Sequence, residues 1–159
     1  MSTLTKVLCD SARKIEDTAL AEKVLQSARL THHLMPPTGW LNDPNGLCYF
    51  KGKYHVFFQY NPFDATGGLK FWGHYSSADM LNWKYEGVAL YPDSVMDCHG
   101  VYSGSALAEG DKLHLFFTGN VKEEDGDFDY VNNGRQASTL HVESEDGLQF
   151  GVKKAAVYY

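Results

Sequence analysis

A chain of 159 residues, 43% of them hydrophobic, has the length and apolar content of one folded domain, which excludes a disordered polar segment. A net charge of -6 leaves no dense stripe of Lys and Arg, so no nucleic-acid backbone and no anionic membrane is expected as a partner. Cys9, Cys48 and Cys98 are odd in number, widely spaced and outside any C-x-x-C pattern, which excludes a zinc or dithiol centre built on them and leaves reduced thiols.

In chain order, the first predicted element is a helix. Leu4, Val7, Leu8, Ala12, Ile15, Ala19, Leu20, Val24, Leu25 and Ala28 recur at three- and four-residue steps among charged neighbours, an amphipathic period running to Leu30. Such a stripe is a packing face, and residues 1–32 are read as an N-terminal helical segment without chemistry of its own. Residues 1–30 contain no continuous apolar core of the secretory kind, so a cytoplasmic protein is expected.

After Pro36 the texture changes to short runs of Tyr, Phe, Val and Trp between Gly, Asn and Asp clusters, the pattern of strands and turns. The 14% share of aromatic residues suits strands and also suits stacking on sugars. Residues 46–58 read as one hairpin turning at Lys51-Gly52-Lys53, and residues 104–117 as another turning at Glu109-Gly110-Asp111. The two align, Gly46 on Gly104 and Phe57-Phe58 on Phe116-Phe117. Further on, Ser77 to Trp83 and Ser144 to Phe150 share the pattern S-x-D-x-L-x-aromatic, the longer spacing of the second being filled by the acidic insert from Glu123 to Asn133. Two similar units of about four strands each resemble successive propeller blades, with hairpins of a sandwich or barrel as the alternative. A propeller needs about four to eight blades to close, so on this reading the chain is a part of a larger fold. The apolar run Ala155 to Tyr159 agrees with an element still in progress.

Trp40-Leu41-Asn42-Asp43-Pro44-Asn45-Gly46 stands just before the first hairpin strand. Pro44 should hold Asp43 extended, and Asn45-Gly46 can take positive φ, which puts the carboxylate on a sharp corner. Turn chemistry alone would make this a plain turn. The repeat aligns Asp43 with Val101, three residues before the matching glycine, and thereby places Asp43, Tyr102 and Ser103 at equivalent corners of one pocket.

These residues carry a resemblance. His33-Leu34-Met35-Pro36-Pro37-Thr38-Gly39 leading into Trp40 to Gly46 resembles the opening signature of glycoside hydrolase family 32, the invertases and sucrose-6-phosphate hydrolases. Phe57 to Pro62, Phe71-Trp72-Gly73-His74, Tyr102 to Ala106 and Phe117 to Val121 are similar to further family motifs in the same order. The resemblance implies an all-β fold, the first two blades or so of a five-bladed β-propeller over residues 33–159, preceded by the N-terminal α-helix. It implies a retaining β-fructofuranosidase in which Asp43 is the nucleophile. Trp40, Leu41, Asn42, Gln59, Trp72, Tyr102 and Ser103 would bind substrate: Asn42 and Gln59 by hydrogen bonds to sugar hydroxyls, Trp72 by stacking, Tyr102 and Ser103 around the fructosyl ring. Tyr102 departs from the Phe that the family more often has there. The implied partner is a small sugar, sucrose or sucrose 6-phosphate, and no cofactor and no metal site is expected.

The family's general acid is a Glu followed by Cys, and its transition-state stabiliser lies in an Arg-Asp-Pro motif; neither occurs in this sequence. The chain is therefore expected to stop before the site is complete and to be inactive alone, with the missing remainder of the enzyme as a further partner. A non-catalytic sugar-binding or assembly module is the alternative. The acidic residues from Glu123 to Asp129 miss the EF-hand pattern and read as a solvated loop, and His32-His33 and Cys98-His99 read as loop residues.

Overall fold

Ser2 starts the first element. Its hydroxyl accepts a hydrogen bond from the Thr5 N–H at 3.0 Å, the N-cap arrangement that satisfies one free amide of a first helical turn. Helix α1 runs Thr3–Ala21 and buries Cys9, Ala12, Glu16 and Ala19 along one stripe. The Glu22 N–H turns back to the Ala19 carbonyl; Val24, Leu25 and Ala28, on which the predicted apolar period continues, lie outside the described residues. The chain is described by a computed structural model covering residues 2–22, 27, 29–30, 32–123 and 133–158, which leaves most of the acidic insert outside the described residues.

Strands β1 (Trp40–Phe50), β2 (Lys53–Asn61), β3 (Phe71–Ser77) and β4 (Trp83–Leu90) form one antiparallel sheet in that order. Strands β5 (Val101–Glu109), β6 (Lys112–Lys122), β7 (Arg135–Ser144) and β8 (Lys154–Tyr158) form a second, built the same way. The all-β architecture with a leading helix is the one the sequence predicts. At the first hairpin Lys51 and Gly52 both have positive φ, 45° and 79°, as a two-residue type I′ turn requires.

The sheets lie face to face. Phe50, Phe57, Trp72 and Leu90 of sheet 1 share a core with Val101, Leu113, Leu115, Phe117, Leu140 and Val142 of sheet 2. The other face of sheet 1, with Phe58, Tyr60, Phe71 and Tyr75, is covered in part by Leu8 of α1. There Tyr85 Oη donates to Glu16 Oε1 at 2.7 Å, and burial raises the Glu16 carboxyl above its ordinary range. Lys153, just before β8, reaches back to the segment after β4, where it pairs with Asp93 at 2.6 Å and with Asp97 and donates to the Tyr91 carbonyl.

The repeat extends to side-chain detail. Ser77 Oγ donates to Asp79 Oδ1 at 3.0 Å, and Asp79 Oδ1 accepts from the N–H groups of Leu81 and Asn82. Ser144 Oγ donates to Asp146 Oδ1, also at 3.0 Å, and that oxygen accepts from Leu148 and Gln149. Hydrogen bonds to the charged form, foremost from the Asn82 and the Gln149 amides, hold both carboxyls below the usual range.

Candidate active site

Asp43 lies inside β1, not ahead of it. Asn42 pairs with Gln59 and Pro44 with Phe58, so Asp43 is the unpaired extra residue of a β-bulge. Its φ is +32°, a left-handed value, where the Pro44 rule predicts extended backbone. The bulge overrides the local preference, because flanking pairs on both sides fix the chain and leave the extra residue to absorb the kink.

Ser103 occupies the same place in sheet 2. Tyr102 pairs with Thr118 and Gly104 with Phe117, which leaves Ser103 unpaired. A Cβ on Gly104 would stand 1.9 Å from the Phe116 carbonyl oxygen, so only glycine lets the bulged strand come so close. Matched through β2 and β6, Asp43 therefore corresponds to Ser103. The alignment of Asp43 with Val101 is two residues off, because Gly104 pairs with Phe117 as Pro44, and not Gly46, pairs with Phe58.

Strands β1 and β5 run side by side with no backbone ladder between them. Their two bulges meet: Ser103 Oγ donates to Asp43 Oδ2 at 3.0 Å. Asn45, expected only as a turn residue, donates from Nδ2 to the Asp43 carbonyl at 2.8 Å, and its buried Oδ1 has no hydrogen-bond partner among the described residues. Asn42 Nδ2 stands 3.5 Å from Gln59 Oε1, at the long limit of a hydrogen bond, and Gln59 is only 4% exposed.

Trp72 is 0% exposed, packed between Phe57 and Phe117, with the indole N–H donating to the Tyr102 carbonyl at 3.1 Å. The ring supports the strand that carries Tyr102 and Ser103. Leu41 likewise turns into the Phe58–Tyr60 cluster, as strand alternation demands of the residue between Trp40 and Asn42. Trp40 is half-buried, with Lys70 Nζ 5.2 Å above its ring. Lys70 Nζ is also 5.2 Å from the Tyr102 ring, and Arg135 donates to Tyr102 Oη at 2.7 Å. These two cations lie far from Asp43 in sequence, and no spacing signal marks them.

The arrangement is an exposed carboxylate on a constrained corner, aimed by a hydroxyl and flanked by amides. It can attack an electrophilic carbon or bind a polyhydroxylated ligand.

The profile of the glycosyl hydrolases family 32 N-terminal domain matches residues 33–157. The sucrose-6-phosphate hydrolase of Bacillus subtilis (strain 168) is 50% identical over 121 residues, 76% of this chain and 24% of that protein. The raffinose invertase of Escherichia coli is 47% identical over 118 residues, 74% of this chain and 24% of that protein. Among solved structures, the sucrose-6-phosphate hydrolase of Lactobacillus gasseri superposes with a TM-score of 0.79 at 34% identity, covering 92% of this chain and 29% of that one. A mutant of the Bombyx mori β-fructofuranosidase in complex with sucrose superposes with a TM-score of 0.74 at 33% identity, covering 91% and 29%. The chain spans about a quarter of the length of the curated relatives it matches.

Proposed function

Because the chain belongs to glycosyl hydrolase family 32, we propose that it supplies the nucleophile half of a β-fructofuranosidase site for sucrose or sucrose 6-phosphate. Residues 33–159 are the part of the propeller domain that carries this half, and residues 1–32 a helical segment ahead of it. Asp43 attacks the anomeric carbon of the fructosyl unit and forms a glycosyl ester, which water hydrolyses with retention of configuration. The observation that carries the reading is the 3.0 Å hydrogen bond from Ser103, which fixes one carboxylate oxygen and leaves the other to react. In this reading Asn42, Gln59 and Tyr102 hold the sugar. Trp72 and Leu41 act from beneath, by holding the strands in place.

A retaining pair also needs a carboxylic acid about 5–5.5 Å from the nucleophile to protonate the departing oxygen. The family's Glu-Cys and Arg-Asp-Pro motifs are absent from these residues, so the acid belongs to chain beyond them or to a partner. A cytoplasmic setting goes with this reading. It rests on the charged residues that interrupt the apolar runs of residues 1–30; among the described residues, no helix is long and apolar enough to cross a membrane.

The test compares two proteins, the 159-residue chain and a version continued through an Arg-Asp-Pro and a Glu-Cys motif. The continued protein should release fructose from sucrose or sucrose 6-phosphate, with Asp43→Asn lowering kcat on the order of 10⁴-fold. The chain alone should stay near background, because a positioned general acid contributes about 10² to 10⁴-fold. Full activity in Asp43→Asn would overturn the assignment of the nucleophile. Sugar binding by the continued protein without turnover would favour a non-catalytic sugar-binding module instead.

A further inference from the structure

Each sheet holds a pair of histidines at equivalent positions, and the two pairs differ in their surroundings. In sheet 1, His55 Nδ1 is 2.9 Å from His74 Nε2, the rings stack, and His55 Nε2 faces the Phe50 carbonyl at 3.3 Å. Both residues are buried under sheet 2, and the residue opposite His55 is Ser76, whose hydroxyl donates to Glu86. In sheet 2, His114 Nδ1 is likewise 2.9 Å from His141 Nε2, with the rings 12° from parallel. Here the residue opposite His114 is Glu143, on the same side of β7 as His141, and all three are only half-buried. One ligand atom from each of His114, His141 and Glu143 lies within 4.8 Å of the others.

We propose that His114, His141 and Glu143 form a site for a divalent transition-metal ion, with Zn²⁺ as the matching ion. Two imidazole nitrogens and a carboxylate oxygen are the donor set that Zn²⁺ takes with one position left for water. Nitrogens bound at about 2.0–2.1 Å in a tetrahedral site stand about 3.3 Å apart, so the two nitrogens, now 2.9 Å apart, open by about half an ångström while the Glu143 oxygen, within 4.8 Å of both, closes on the ion. Phe116 stacks on His141 at 4.7 Å and backs the ligand from the neighbouring strand. Glu143 now pairs with Lys112 at 2.5 Å and lies 3.7 Å from Lys154, so the metal competes with those ammonium groups for the carboxylate. Sheet 1 is a built-in control, since it has the same histidine pair with a serine as the third residue. The sequence gives no hint of the site, because the two histidines are 27 residues apart and come together only through the β6–β7 ladder.

The experiment titrates the tag-free 159-residue chain with zinc sulfate in metal-free buffer and reads the heat of binding, with circular dichroism confirming the fold of each variant. One ion per chain should bind. His141→Gln and Glu143→Gln should each weaken binding at least about tenfold. Lys112→Met should tighten it about two- to fivefold by releasing the carboxylate, a gain that damage to the fold would not produce. His33→Gln and His99→Gln should leave it unchanged. No binding at millimolar zinc, binding that survives Glu143→Gln undiminished, or binding lost with His33 or His99 would overturn the proposal.

Discussion

His74 is 2% exposed, stacked on Phe57 and held at 2.9 Å by His55, itself 3% exposed. Burial, with a smaller contribution from His55, pushes the His74 imidazole down to about 3, and burial lowers His55 as well. Of the charges nearby, Glu86 favours protonation and Lys53 opposes it. The folded pair refuses protons that the unfolded chain accepts near the ordinary value of 6.5. Stability is thus fully present above about pH 6.5 and drains away as pH falls toward 3, by up to about 1.4 kcal/mol per pH unit for one such group. Urea unfolding at several values between pH 7.5 and 4.5 should show this slope, and His74→Phe should flatten it. An identical slope in the variant would assign the acid sensitivity elsewhere.

The S-x-D turns of the two sheets can be told apart at one residue. Met80 has φ +61° where Gly147 has φ +74°, so the same left-handed position is filled once by a strained side chain and once by glycine. Met80→Gly should be neutral or stabilising by up to about 1 kcal/mol, since relief of strain opposes the greater entropy of an unfolded glycine. Gly147→Ala should destabilise by about 1–2 kcal/mol, because the new Cβ takes on that strain and stands 3.0 Å from His55 Cε1. The thermal midpoint should fall in Gly147→Ala and stay level or rise in Met80→Gly; a Met80→Gly protein weaker than Gly147→Ala would refute the equivalence. Both turns, like both hairpins, were legible in the sequence, because each is specified by residues within seven positions of one another. The bulges were not. Which residue a strand leaves unpaired depends on its partner's register, so Asp43 looked extended and its counterpart looked like Val101 when it is Ser103. The burial of Trp72 is out of reach of local sequence for the same reason, since the sheet that buries it comes from later in the chain.

Between the sheets, the ionic link among the described residues is Lys153. Its ammonium holds Asp93 at 2.6 Å and Asp97, whose side chain is 0% exposed. Lys153→Met should cost about 3–5 kcal/mol, most of it from the carboxylate left buried without its cation. Adding Asp97→Asn should recover part of the loss in urea unfolding, and a double variant as weak as the sum of the two singles would argue against a shared clamp. Each sheet is made of four strands consecutive in sequence, so sheet 1 is complete once Leu90 has left the ribosome. Phe150, which sits edge-on against Phe57, arrives about 60 residues later. At synthesis rates of about 5–20 residues per second, the Phe57 ring waits roughly 3 to 12 seconds for this last part of its cover. A nascent chain thus shows aromatic surface to chaperones for a time fixed by translation speed, and codons that pace residues 91–150 set how long it does so.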